Sequence, residues 1–348
     1  MGANLSQFVW CVSTSIALVF AAILLSDERK SADAGNYDDS ISKKAAESNE
    51  VASNNVCCAS CGISTVKLKK CKACNLVRYC NVVCQKNHRL QHKRACKKRA
   101  AELRDELLFK QPESAHQGDC PICLLPMPLD VGKIQMKSCC SILICKGCVL
   151  ANYLREEEQG IESTCAFCRT VVPKTSAECK LNRTKRIEKN DPAAMREEGG
   201  RRVAEKDFGR ALELWTKAAE QGDADAHYQL SIMKYFDARA VKNTKKELYH
   251  MEEAAIRGHP DARYNLGCHE RRNGRSERAV KHFFIAAKLG CDHSTQALKR
   301  CYVGGDVSKE DFAAALRAHQ AAVDATKSLQ REAAELHVVA KDHFWFKI

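Results

Sequence analysis

The 348-residue chain has no Ser-His-Asp spacing, no glycine loop of the kind that cradles phosphates, and no ligand pattern that leaves a metal an open position. Those absences exclude hydrolysis or group transfer by the chain's own side chains. Long hydrophobic stretches are also scarce. One uncharged run of 18 residues, Phe8 to Leu25, would reach about 27 Å as a helix, just short of a typical hydrocarbon core. No Lys or Arg precedes it, whereas Arg29, Lys30, Lys43 and Lys44 follow. The positive-inside rule therefore places everything after Leu25 in the cytosol. Residues 26–56 have almost no large apolar side chain, so they cannot bury enough surface to order themselves and read as a disordered linker.

Residues 1–25 admit three readings: an anchor, a cleaved signal or an acylated terminus. Ala32-Asp33-Ala34 offers a cleavage-like site, but the basic region of a signal peptide is missing and export would oxidise the cysteines. Met1-Gly2-Ala3-Asn4-Leu5-Ser6 fits the myristoylation pattern, with Cys11 as a second acylation site. The anchor and the acylated terminus both predict attachment to a membrane, with the domains facing the cytosol. Without an anchor, a nuclear location opens.

Cysteine, by contrast, is abundant. All of the 21 except Cys179, Cys268, Cys291 and Cys301 fall between Cys11 and Cys168. Two arrays stand out. The first is Cys58-x2-Cys61, Cys71-x2-Cys74, Cys80-x3-Cys84 and His92-x3-Cys96; the second is Cys120-x2-Cys123, Cys139-Cys140, Cys145-x2-Cys148 and Cys165-x2-Cys168. A Cys-x-x-Cys turn presents two thiolates to one ion, and two such pairs close a tetrahedral shell with no place for water. The spacing is that of structural zinc in a reducing compartment, and the two arrays predict four ions. Zinc-bound cysteines are thiolates, so the formal charge of +13 falls to about +6 when the ions and thiolates are counted. That weakens the electrostatic case for nucleic acid.

The first array, residues 57–98, resembles a MYND finger, including the Tyr79-Cys80 pair and the final His92 and Cys96 one helical turn apart. The resemblance implies that Cys58, Cys61, Cys80 and Cys84 hold one zinc and that Cys71, Cys74, His92 and Cys96 hold the other. It also implies binding of proline-rich peptides. Cys57 and His88 read as bystanders. Lys86, Arg89, Lys93, Arg94, Lys97, Lys98 and Arg99 lie on an expected helix and read as a solvated face more readily than as a phosphate grip.

The second array, residues 119–174, resembles a RING finger of the all-cysteine variant, with Ile142 where the family's histidine would stand. The resemblance implies that Cys120, Cys123, Cys145 and Cys148 share one ion and that Cys139, Cys140, Cys165 and Cys168 share the other. It further implies that Ile122 contacts a ubiquitin-conjugating enzyme and that Arg169 touches its ubiquitin. Between the arrays, residues 99–118 read as a helical linker broken at Pro112 to Gly118.

Residues 190–326 repeat. Trp215…Ala218-Ala219…Gly222, Met251…Ala254-Ala255…Gly258 and Phe283…Ala286-Ala287…Gly290 align at offsets of 36 and 32 residues. Each unit reads as two helices, the first ending at a left-handed glycine cap. A half unit opens at Asp191-Pro192, the stretch Phe236 to Thr244 lacks the expected turn, and Asp311-Phe312-Ala313 restarts the pattern. The pattern resembles the Sel-1-like repeat, related to tetratricopeptide repeats, whose stacked hairpins form a protein-binding groove. Residues 327–348 follow as a C-terminal helix and tail. The expected fold is thus multidomain: two small zinc-stabilised modules followed by an all-α solenoid.

These resemblances lead to the expectation of a RING-type ubiquitin ligase, which acts by holding a charged conjugating enzyme near a substrate and needs no covalent intermediate. Protein substrates would sit on the solenoid groove. The alternatives are a non-enzymatic zinc-binding scaffold and, third, a nucleic-acid-binding protein using the basic helix.

Overall fold

The computed structural model describes residues 57–64, 67–233 and 244–340. The run Phe8–Leu25, the linker that follows it and the greater part of the degenerate stretch Phe236 to Thr244 lie outside the described residues. Among the described helices none is long and apolar enough to cross a membrane. The chain divides into two compact units, one ending at Glu106 and one beginning at Leu107.

In the first unit, β1 (Lys69–Lys70) pairs antiparallel with β2 (Arg78–Tyr79), Lys69 opposite Tyr79. The short helix α1 (Val82–Asn87) begins where Asn81 accepts from the Cys84 amide, which caps it. Helix α2 (Arg89–Leu108) follows, with Leu107 and Leu108 already in the second unit. The buried core is little more than Cys58, Cys71, Cys74 and Tyr79. A core this small cannot stabilise the segment, so its stability must come from what the sulfurs bind.

The second unit contains the other cysteine array and the repeats. Strands β3 (Ile134–Met136) and β4 (Leu143–Cys145) form an antiparallel ribbon with Ile134 opposite Cys145, and helix α3 (Lys146–Glu158) follows directly. The rest is helical: α4 (Ser176–Glu188), α5 (Pro192–Ala204), α6 (Phe208–Glu220), α7 (Ala224–Ile232), α8 (Thr244–Ile256), α9 (Pro260–Arg272), α10 (Ser276–Lys288), α11 (Asp292–Val303), α12 (Lys309–Ala325) and α13 (Leu329–Ala340). From α4 to α12 each helix packs on the next in the chain, α10 also meets α12, and α13 returns to pack on α3.

The repeat alanines explain this packing. Ala218, Ala219, Ala254, Ala255, Ala286 and Ala287 are all buried, so the helices approach closely there, while Trp215 and Phe283 fill the spaces beside them. The three turns are nearly identical. Gly222, Gly258 and Gly290 have φ of 89°, 86° and 89°, and the amides of Asp223, His259 and Cys291 close back onto the carbonyls of Ala218, Ala254 and Ala286. This is the left-handed cap that glycine permits at no steric cost. Asp191 caps α5 with Pro192 in its first turn.

Candidate metal centres

The four sets of residues expected to share an ion are each gathered in space. Within each set, Cys58/Cys61/Cys80/Cys84, Cys71/Cys74/His92/Cys96, Cys120/Cys123/Cys145/Cys148 and Cys139/Cys140/Cys165/Cys168, the ligand atoms lie within 4.8 Å of one another. Sulfur separations include 3.5 Å for Cys61–Cys80, 3.7 Å for Cys71–Cys96, 3.8 Å for Cys123–Cys145 and 3.4 Å for Cys139–Cys168. His92 Nε2 is 3.2 Å from Cys74 Sγ. A tetrahedral zinc with bonds of about 2.3 Å to sulfur needs sulfur edges of about 3.8 Å. The chain fits the ion, and the separations are far too long for disulfides.

Both arrays interleave their ligands, first pair with third and second with fourth, so neither metal can be lost without loosening the segment that holds the other. Adjacent Cys139 and Cys140 both face the second cluster, 3.9 Å apart. The knuckle turns aim amides at sulfur. Burial pushes the Cys58 thiol up, but amides of Cys61, Cys80 and Ser60 override it and hold the thiol below its ordinary range. Cys120 is held low chiefly by the Cys145 thiol, with amides of Cys123 and Ile122 adding to this against burial. Donors placed this way favour the thiolate that a metal requires.

The side chains outside the shells are placed as follows. Cys57 is exposed and belongs to no cluster. His88 accepts or donates at 3.1 Å to the Tyr79 hydroxyl and stacks on His92 instead of joining the ligands. Lys86, Arg89, Lys93, Arg94, Lys97 and Lys98 are exposed, whereas Arg99 is tied to Glu102 and Glu106. Ile122 is 41 % exposed between two ligands, and Phe167 is 46 % exposed between two others. Arg169 has φ of 61° and donates through Nη1 to Asn152 Oδ1 at 2.8 Å; Asn152 in turn donates to the Thr164 carbonyl at 3.1 Å.

Two features escaped the sequence reading. A cavity of about 390 Å³ opens beside the Cys139 cluster, with Met136, Tyr153, Pro173, Lys137, Glu156 and Arg201 in its lining. Its charges are mixed, so it selects no ligand by sign. His116, Asp225 and His259 also converge, with His116 Nε2 at 2.9 Å and His259 Nε2 at 3.3 Å from Asp225 Oδ1. The charge of that carboxylate is already met, because Arg196 donates to its other oxygen. His259 uses Nδ1 to accept from the Ala262 amide, which leaves its proton on Nε2. The trio therefore acts as a clasp between residue 116 and the turn before α9, helped by the His116 amide donating to the Gly258 carbonyl at 3.1 Å.

The MYND finger family model matches residues 58–96. The first array is thus a MYND finger and binds zinc, and the further cysteine clusters are additional zinc-compatible sites. No curated protein sequence matches the chain.

Proposed function

We propose that this protein is a RING-type ubiquitin ligase whose second cysteine array binds a charged ubiquitin-conjugating enzyme. One observation carries the reading. Four cysteine pairs close two interleaved shells, and each shell carries an exposed apolar side chain on its knuckle, Ile122 on one and Phe167 on the other. A closed sulfur shell with exposed apolar knuckles suits a docking platform, and docking is all that such a ligase contributes to the chemistry. The zinc ions set the knuckle geometry and supply no open coordination site.

The helices from α5 to α12 are read as Sel-1-like hairpins stacked in a solenoid, whose groove takes protein substrates. The MYND finger takes proline-rich peptides. The N-terminal run holds the protein on a membrane with these modules in the cytosol.

The second reading is a non-enzymatic scaffold. What favours it is the 2.8 Å bond from Arg169 to Asn152, which occupies the side chain expected to reach ubiquitin. The two readings separate in an auto-ubiquitination assay with purified full-length chain, activating enzyme, ATP and a panel of conjugating enzymes. The ligase reading expects ubiquitin to accumulate on the chain with at least one panel member. If none modifies a fully metallated chain, the scaffold reading replaces it.

A further inference from the structure

Arg331, in the first turn of α13, is a buried cation, only 6 % exposed. Its Nη1 donates to the carbonyls of Pro126 and Thr326, both at 2.7 Å. Its Nη2 donates to the Leu125 carbonyl at 3.1 Å and lies 3.3 Å from Cys123 Sγ. Among the described residues no carboxylate is paired with it.

A buried guanidinium without a counter-ion costs several kcal/mol. The negative charge available here is that of the sulfur shell, because four thiolates around one Zn²⁺ carry a formal charge of about −2. Four neutral thiols would supply none. The guanidinium and the metallated shell therefore need each other: Arg331 delocalises charge from the Cys123 thiolate, and its fork fixes the loop Leu125–Pro126 that follows this ligand.

The backbone is shaped for the same contact. A Cβ on Gly147, between ligands Cys145 and Cys148, would fall 3.0 Å from the Arg331 Cα and backbone nitrogen, so α13 can come down onto the start of α3 because residue 147 lacks a side chain. The nearby Lys133–Glu335 pair, at 2.8 Å and half-exposed, contributes little by comparison.

We propose that Arg331 is a positioning residue for the zinc held by Cys120, Cys123, Cys145 and Cys148, so that occupancy of this site and docking of α13 stabilise one another. Such coupling is reciprocal: whatever strengthens zinc retention through α13 must strengthen α13 docking through zinc. The inference rests on the metal reading of this cluster and not on ligase activity, so the two can fail separately.

The test uses the full-length chain under a zinc chelator, with ions counted by native mass spectrometry and backbone hydrogen exchange followed over residues 329–340. R331A should lose one zinc about tenfold to a hundredfold faster than the unaltered chain, accumulating a species one ion short before the second ion of the same array follows, while the two ions of the first array leave at the normal rate. R331K keeps the charge but not the fork and should fall between them. In the unaltered chain, stripping the zinc should raise exchange across residues 329–340, and C123S should do the same. Unchanged exchange in α13 after zinc removal, or R331K and R331A losing every ion at the normal rate, would overturn the proposal. The exchange measurement needs no variant and can overturn the proposal even where R331A fails to fold; support for it comes from the faster loss of one ion by R331K, since unfolding of α3 alone would also expose α13.

Discussion

His282 lies on α10, fully buried, with its ring 4.7 Å from Phe109 and both ring nitrogens unpartnered among the described residues. Burial first, then the charges of Arg263 and Arg278, lower its pKa from the ordinary value to about 3. The unfolded chain therefore takes up a proton near pH 6.5 that the folded chain refuses, so stability is fully present above that pH and is lost as pH falls toward the folded value. His227, lowered to about 4 by burial and by Arg257 and His250, adds a loss in the same direction. Thermal or urea unfolding of the helical region should show roughly 1 to 2 kcal/mol less stability at pH 5 than at pH 7 on account of His282. His282→Leu should flatten that slope without abolishing it, since His227 remains; a slope identical to the unaltered chain's would contradict this assignment. At this scale the gathering of the sixteen candidate ligands into four clusters was legible because spacing in the chain dictates which sulfurs can share a turn. Arg331 was not, because its partner Cys123 is 208 positions away and nothing in local sequence marks it.

Among the elements, the repeat hairpins were legible for a physical reason: an alanine pair that must be small and a glycine that must take positive φ recur with the same spacing between them in each unit. The two β-ribbons, with strands of two and three residues, are too short to leave a periodic signal. Helix α13 was expected, but its return to α3 was not, since the residue that admits it is a lone glycine inside a Cys-x-x-Cys spacing. Gly147→Ala should therefore push α13 off α3 and cost about 1 to 3 kcal/mol, read as a lower melting temperature and faster exchange over residues 329–340. Gly200→Ala in α5, where a Cβ meets nothing within 4 Å, is the control and should be neutral or stabilising by up to about 1 kcal/mol. Equal effects from the two substitutions would mean that the close approach at Gly147 carries no weight.

For the whole molecule, stability comes from two sources. The cysteine modules have cores made mostly of their own ligands, and structural zinc in such modules contributes roughly 10 kcal/mol or more to folding. The helices from α4 to α12 bury alanine, leucine and aromatic side chains that need no metal. Chelation should unfold residues 58 to 168 while most of the helical circular dichroism persists; a single cooperative loss of all structure would refute this division. Function is the part least legible in the sequence, because docking surfaces are read from exposure around a shell and not from the ligands alone. Single-turnover discharge of ubiquitin from charged conjugating enzymes tests it most directly, with zinc counted on every preparation. The account predicts that the chain with four zinc ions speeds discharge from at least one enzyme, that Ile122→Ala cuts the rate roughly tenfold with zinc content unchanged, and that Cys145→Ser abolishes it. A folded, four-zinc chain that accelerates discharge from none of them would contradict it.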